Sequence, residues 1–326
     1  MVGDAAHRFP HTGGYGLNSG VQDAHNIAWK LDAILGGQAT DHLLDTYEVE
    51  RRPVIDLFAR HSVANHFHLD AATKHFGVTN KMVQRATTAM SRAPLNLLPG
   101  LVAAPLAEQI TRAGLARTRI LGSTGRRAQR VHDLVAGNIP GQLPHFVSTG
   151  LEYGYRYAGP LIATEPGERE VATGADDVVE YRPNTKPGGR LPHTVIDTTD
   201  GPRSTLELVD TTPTALTVFT FDPSGWEHVL ESGVGLLSPL TACVVDLGSA
   251  TTPKTAIDLY EVGTLGAVLV RADGHIVWRT AVHAKAAAVD LLDAIRRCWL
   301  PYFSQNRASD QRTVVATVAP PKSSSR

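Results

Sequence analysis

Gly3-Asp4-Ala5-Ala6-His7-Arg8-Phe9-Pro10-His11-Thr12-Gly13-Gly14-Tyr15-Gly16-Leu17-Asn18 is the stretch on which the reading of this 326-residue chain turns. Met1-Val2 reads as the end of a strand and Gly3-Asp4 as the turn out of it. A short carboxylate at such a turn stands beside free backbone amides and can accept hydrogen bonds from ligand hydroxyls. Gly13, Gly14 and Gly16 carry no side chains, so a flat ligand can approach the backbone closely. The loop leads into a helix expected from about Asn18 to Leu35. In it Val21, Ala24, Ile27, Ala28, Leu31, Ile34 and Leu35 recur at three and four. Asn18 or Ser19 can cap its start, and Gly36-Gly37 can end it. The start of a helix carries unpaired N–H groups and a partial positive charge, so a ligand edge that becomes anionic is stabilised there. Taken alone, the glycines suit a plain turn ahead of a helix cap equally well.

Outward from this stretch the chain stays helical at first. A second helix is expected from about His42 to Arg52, with Pro53 kinking the path or starting a new helix. Helical patterning continues to about Gly122, with breaks at Gly77 and around Pro94, Pro99 and Gly100. From Arg127 to Gly189 proline and glycine are frequent, and the stretch reads as irregular, with strand-like pieces such as Tyr153–Tyr157. From Arg190 short β-branched runs take over: Thr194–Ile196, Ala215–Phe221, Ala242–Leu247 and Gly266–Arg271. Ala272-Asp273-Gly274 places an Asp-Gly pair ahead of His275–Arg279, a strong hairpin signal. Ala284–Trp299 forms a last amphipathic helix.

The full opening string resembles the second FAD motif of the class A flavoprotein monooxygenases, the para-hydroxybenzoate and phenol hydroxylase superfamily. The likeness continues through Gln22-Asp23-Ala24-His25-Asn26-Ile27-Ala28-Trp29-Lys30-Leu31 and Tyr47-Glu48-Val49-Glu50-Arg51-Arg52-Pro53. It implies that Asp4 holds the ribityl chain of FAD and that Pro10 lies in the loop beside the isoalloxazine ring. Gly16, Leu17 and Asn18 then present backbone amides to the pyrimidine edge of the ring. A reduced flavin carries its negative charge at that edge, which a helix start stabilises. The family often has two prolines in this loop; here the second is His11. Any residue there supplies a backbone carbonyl, and the imidazole either reaches the substrate or is a tolerated variant. His7 either touches flavin or substrate or packs the loop.

Gly188–His193, Ser204–Leu208 and Gly266–Arg279 resemble the C-terminal thioredoxin-like domain of the phenol hydroxylase branch. The chain contains no Cys-x-x-Cys, so dithiol exchange has no chemical basis there. A structural role, or one in contacts between subunits, is expected instead. The implied fold is α/β. Residues 1–125 would be the C-terminal remnant of a Rossmann-like FAD-binding domain with a helical extension, and 126–187 an irregular connection. Residues 188–303 would be the thioredoxin-like domain and 304–326 a disordered tail. The implied activity is hydroxylation of a phenolic or polyketide-type aromatic, with O2, FAD and NADPH or NADH as transient reductant.

The rest of the sequence narrows the alternatives. Net charge is −1, with 31 basic and 32 acidic side chains, which speaks against electrostatic nucleic-acid binding. No apolar run approaches the roughly 20 residues that span a bilayer, and no signal peptide is visible. The two cysteines, Cys243 and Cys298, fit a reducing cytoplasm and read as small buried hydrophobes. His61, His68 and His75 recur every seven residues, roughly 10 Å apart along a helix, too far to share a metal ion. Asp45, Glu48, Arg51 and Arg52 have the spacing of helix-surface ion pairs, although Arg51-Arg52 can instead brace the FAD domain. No strand–Gly-x-Gly-x-x-Gly–helix unit for the ADP part of FAD is present. The expectation is therefore the C-terminal part of a longer hydroxylase, either a fragment or a short product pairing with a separate N-terminal half. The alternative is a non-catalytic interaction protein that does not bind FAD. Alone, the chain is expected to bind FAD weakly or not at all, and its first helix to expose an apolar face. A homodimer is a further possibility.

Overall fold

Helix α1 begins at Tyr15 rather than Asn18 and runs to Leu35, and it buries the side that its apolar repeat does not mark. In this computed structural model, which describes residues 1–326 except 11, 92–99, 164–177, 238, 304–316 and 319–326, the buried positions of α1 include Ser19, Asp23, Asn26, Lys30 and Ala33. These recur at three and four, as a single helix face requires. The apolar stripe faces outward: Val21 is 61% exposed, Leu35 84% and Leu17 80%. His11 and the greater part of the expected tail lie outside the described residues.

A 3₁₀ turn at Asp41–Leu44 leads into α2, Asp45–Thr73. Pro53 lies inside α2 and neither ends it nor starts a new helix. Its missing N–H costs one backbone bond, which the burial of Glu50, Arg51, Val54 and Ile55 around it outweighs. The break expected at Gly77 is present: α2 ends at Thr73, and Gly77 has φ +77°. Helices α3 (Asn80–Ser91), α4 (Gly100–Thr118), α5 (Arg126–Asn138), α6 (Leu143–Phe146) and α7 (Thr149–Gly154) follow. The stretch expected to be irregular is thus largely helical up to Gly154, and Tyr153 belongs to a helix rather than a strand. The proline content misleads there because Pro140 and Pro144 occupy helix first turns, where no amide donor is needed.

The remaining elements form an α/β layer structure. Strands β1 (Val195–Thr198) and β2 (Gly201–Ser204) make an antiparallel hairpin. Then come β3 (Ala215–Thr220), α8 (Pro223–Leu237), β4 (Thr241–Asp246) and α9 (Pro253–Tyr260). Strands β5 (Ala267–Arg271) and β6 (Ile276–Thr280) and helix α10 (Ala284–Cys298) complete the run. With β7 (Thr317–Val318), the larger sheet has the order β6-β5-β3-β4-β7. Strand β3 pairs parallel to β4 and antiparallel to β5, and β5 pairs antiparallel to β6. A βαβ unit followed by a hairpin and a helix is the thioredoxin-like arrangement. Every residue of β3 is buried, as expected of a central strand covered on both faces. Phe219, Val245, Val268, Val270, Tyr260 and Ile276 belong to its core.

The chain divides into two compact units. One contains Met1–His7, Leu17–Asp56 and Thr149–Arg326; the other contains Arg8–Gly16 and Leu57–Ser148. Among the described residues no helix is long and apolar enough to cross a membrane.

Candidate functional site

In the first unit the site is built on a short turn clamped to α1. Gly3–Ala5 is one 3₁₀ turn, and a Cβ at Gly3 would lie 3.6 Å from the Gly20 Cα on α1. The clamp is Asp23, whose side chain is fully buried. Its Oδ2 accepts from the Gly3 N–H at 3.0 Å and lies 2.7 Å from His7 Nε2. Its Oδ1 accepts from Arg51 Nε at 2.7 Å. Burial pushes the Asp23 carboxyl up, but hydrogen bonds from His7 and Arg51 outweigh it and hold the group below its ordinary value. Arg51 also donates to the Ser19 carbonyl, Gln22 and the Tyr157 hydroxyl. Arg51 is therefore a buried brace, whereas its neighbour Arg52 makes the exposed helix-surface pair with Glu48. His7 packs the loop through Asp23.

This clamp leaves Asp4 exposed, and among the described residues its carboxylate makes no hydrogen bond. Leu17 and Asn18, in the same unit, are exposed as well. Because α1 starts at Tyr15, Gly16 and Leu17 fall in the turn whose amides lack intrahelical acceptors. Asn18 is the fourth helical residue, past the capping position, and its amide is the first to find an acceptor within the helix. Ser19 does not cap either: its hydroxyl is buried without a partner among the described residues.

The second unit holds Pro10 and Gly16. The Pro10 carbonyl accepts from Ser62 Oγ at 2.5 Å. Gly13 has φ +98°, and a Cβ there would overlap the Tyr15 ring, so this position requires glycine. A Cβ at Gly16 would meet no atom within 4 Å. In the first unit Asp4 and Leu17 are open to a ligand, and in the second unit the position at Gly16 is open as well; taken each by itself, these have the chemistry that the ribityl and ring ends of an FAD require. Among the described residues no glycine-rich strand–helix turn offers itself to the ADP end.

A second buried charge cluster, in the first unit, joins α1 and α2 to the β5–β6 turn. Glu50 accepts from Arg271 Nη1 at 2.6 Å and Nη2 at 2.9 Å, from Lys30 Nζ at 2.9 Å and from Asn26 at 2.7 Å. Asp273, from the Asp-Gly turn, accepts from Arg271 Nε at 2.7 Å and Nη2 at 2.8 Å. Burial raises the Glu50 carboxyl, but Arg271 and then Lys30 bring it down to about 2. Burial lowers the Lys30 ammonium to about 8, and Glu50 only partly restores it. The two partners differ because Arg271 attracts Glu50 and repels Lys30. The polar residues 19, 23, 26 and 30 share one helix face in the sequence, a signal that an apolar reading passes over. A cleft of about 1000 Å³ beside the clamp is lined by charged groups of His7, Arg51 and Arg52 together with apolar ones of Leu44, Val49 and Ile55.

The seven-residue histidine series makes separate local contacts. A ring nitrogen of His61 lies 3.1 Å from the Pro144 carbonyl oxygen, and one of His75 lies 3.3 Å from the Asn138 amide.

Residues 1–62 match the family model described as FAD binding domain, and residues 184–300 match that of aromatic-ring hydroxylase, C-terminal. The chain is 31% identical to 4-methyl-5-nitrocatechol 5-monooxygenase of Burkholderia sp, over 91% of this chain and 42% of that protein. It is 29% identical to 2,4-dichlorophenol 6-monooxygenase of Cupriavidus pinatubonensis, over 91% of this chain and 45% of that protein. Its fold matches the crystal structure of the flavin-dependent monooxygenase PieE in complex with FAD and substrate. The TM-score is 0.67 at 27% identity, over 91% of this chain and 46% of that one. The chain thus spans under half the length of these relatives. By motif, fold and both family models, the chain is similar to the C-terminal part of the FAD-dependent aromatic-ring monooxygenases.

Proposed function

We propose that this chain supplies one wall of the FAD site, together with the thioredoxin-like domain, of a monooxygenase that hydroxylates a phenolic or polyketide-type aromatic. Bound FAD, reduced by NADPH or NADH, would supply the O2 chemistry, while the protein positions and shields it. The single observation that carries the reading is the uncovered amide turn at Gly16–Leu17, with no atom within 4 Å of the Gly16 Cβ position. The amides there would face the ring edge that gains negative charge on reduction, an electrostatic role that needs no movement during the reaction. Asp4 would accept hydrogen bonds from ribityl hydroxyls, held in place by the Asp23 clamp. Pro10 would line the ring. The two relatives named as acting on a nitrocatechol and a dichlorophenol support a phenolic substrate. Two unpaired cysteines are consistent with action in the cytoplasm.

The test is co-expression with an N-terminal half that carries a Gly-x-Gly-x-x-Gly unit. The expected result is a yellow complex that co-purifies and consumes NADPH faster when a phenol is added. Gly16→Val, which puts a side chain where the ring would lie, should bleach the complex without unfolding it. A complex that is equally yellow with Gly16→Val would refute this placement of the flavin.

A further inference from the structure

Phe58, His61 and Ser62 share one face of α2, and within the second unit Pro10, Thr12 and Tyr15 contact that face. The Tyr15 ring stacks on Phe58 at 5.3 Å and meets His61 edge-on at 5.8 Å. Ser62 is fully buried. A serine inside a helix ordinarily bonds to the carbonyl one turn back or points to water. Here the Ser62 hydroxyl lies 2.5 Å from the Pro10 carbonyl oxygen and 2.9 Å from that of Thr12. Thr12 returns the contact, its Oγ1 donating to the Ser62 carbonyl oxygen at 2.7 Å. One hydroxyl proton is shared between two carbonyls, with the shorter contact taking the larger part. The carbonyls of Pro10 and Thr12 are thereby tied to one position of α2.

We propose that Ser62 is a positioning residue for the cofactor site. It fixes the carbonyls of Pro10 and Thr12, and with them the loop backbone that would line the isoalloxazine ring. The proposal rests on the reading of residues 10–18 as a flavin wall. Removing the hydroxyl leaves two loop carbonyls without their donor while the Tyr15 stack and the helix remain. The loop then samples several backbone positions.

The experiment compares the 326-residue chain with its Ser62→Ala and Ser62→Thr variants. Amide hydrogen exchange of the peptide spanning residues 9–16, measured without FAD, should accelerate about tenfold in Ser62→Ala, the equivalent of one lost hydrogen bond. Ser62→Thr keeps the hydroxyl and should restore slow exchange. Thr12→Val, which removes only the returning bond, should show a smaller acceleration. The second readout is the visible spectrum of bound FAD in the complex that each chain forms with a co-expressed N-terminal half. The natural chain and Ser62→Thr should share one band shape, and Ser62→Ala should differ. Unchanged exchange in Ser62→Ala overturns the latch. Faster exchange with three identical flavin spectra overturns the positioning role. Absence of bound flavin from every co-expressed complex refutes the flavin reading itself, and the exchange data tell that failure apart from failure of the latch.

Discussion

Glu50→Gln should be among the most damaging single changes in the first unit, and Lys30→Met one of the mildest, although the two residues form one salt bridge. Glu50 is buried and faces two cations; its carboxyl lies at about 2 against an ordinary 4.5. That difference corresponds to roughly 3 kcal/mol of preference for the charged form in the folded chain. An uncharged amide at this position would leave Arg271 with only Asp273 and Lys30 with only Asn26, so a loss of about 3–5 kcal/mol is expected. Lys30 is the opposite case. Its ammonium lies at about 8 against 10.5, so holding its charge near neutral pH costs about 3 kcal/mol. Methionine fills similar space without that cost, and Glu50 keeps both bonds from Arg271.

The signs with pH follow. Glu50 has a depressed folded pKa, so its contribution is complete above about 4.5 and disappears as pH falls towards 2. Between about 8 and 10.5 the unfolded chain retains a proton that folded Lys30 has released, so Lys30 makes stability rise with pH across that window. Lys30→Met should flatten that rise. The assay is thermal unfolding followed by tryptophan fluorescence, because the Trp29 ring lies 5.6 Å from Lys30 Nζ and 5.4 Å from the Arg271 guanidinium. Glu50→Gln should lower the midpoint by roughly 5–10 °C, and Lys30→Met should leave it unchanged or raise it. If Lys30→Met proved as destabilising as Glu50→Gln, the assignment of Arg271 as the dominant partner of Glu50 would be wrong.

Adjacent arginines should behave oppositely: Arg51→Ala, which uncouples buried Asp23, should cost about 3 kcal/mol or more, and Arg52→Ala less than about 1, both read by urea unfolding. The 326-residue chain alone should bind FAD more weakly than micromolar in a fluorescence titration; a micromolar or tighter Kd would show that the ADP end has a holder not identified among the described residues. Val21→Gln with Leu35→Gln, on the exposed stripe of α1, should raise solubility in light-scattering measurements and leave the thermal midpoint within a degree or so, since neither side chain is buried. A large drop in the midpoint would mean that this face packs within the chain.

The parts of the fold that were legible are those whose signals are local. Asp273-Gly274 marks its hairpin because a tight turn needs a residue able to take a positive φ, and Gly274 has φ +76°. Strands β1, β3, β4, β5 and β6 and the last helix fall within a few residues of their expected ends, whereas β2 was not expected. The buried face of α1 was not legible by apolar periodicity, because its polar residues find partners far along the chain. Lys30 meets Glu50, and Glu50 meets Arg271, 221 positions away. No window of sequence contains such a pairing. The site divides in the same way. Asp4, Gly16 and Leu17 stand out as a motif, and Arg51 is readable as a brace, whereas its bond to Asp23 and the contact of Ser62 with Pro10 emerge only once the helices are placed.

Two carboxylates act at different positions along α1 and α2, and their chemistry explains why the shared interior is charged. Asp23 ties the turn that carries Asp4 to α1 and to Arg51. Glu50, one residue before Arg51, ties α1 to Arg271 at the end of β5. Tyr157 stands between the two arginines, with the Arg51 guanidinium 5.9 Å and that of Arg271 5.4 Å from its ring centre. An apolar interface at these positions could slide by a fraction of a turn at little cost. Bidentate bonds from guanidinium to carboxylate accept one register. Since Glu50 favours its charge in the folded chain and Lys30 does not, the net stability from these buried charges is small, and their contribution is to hold α1, α2 and β5 in one register within the first unit.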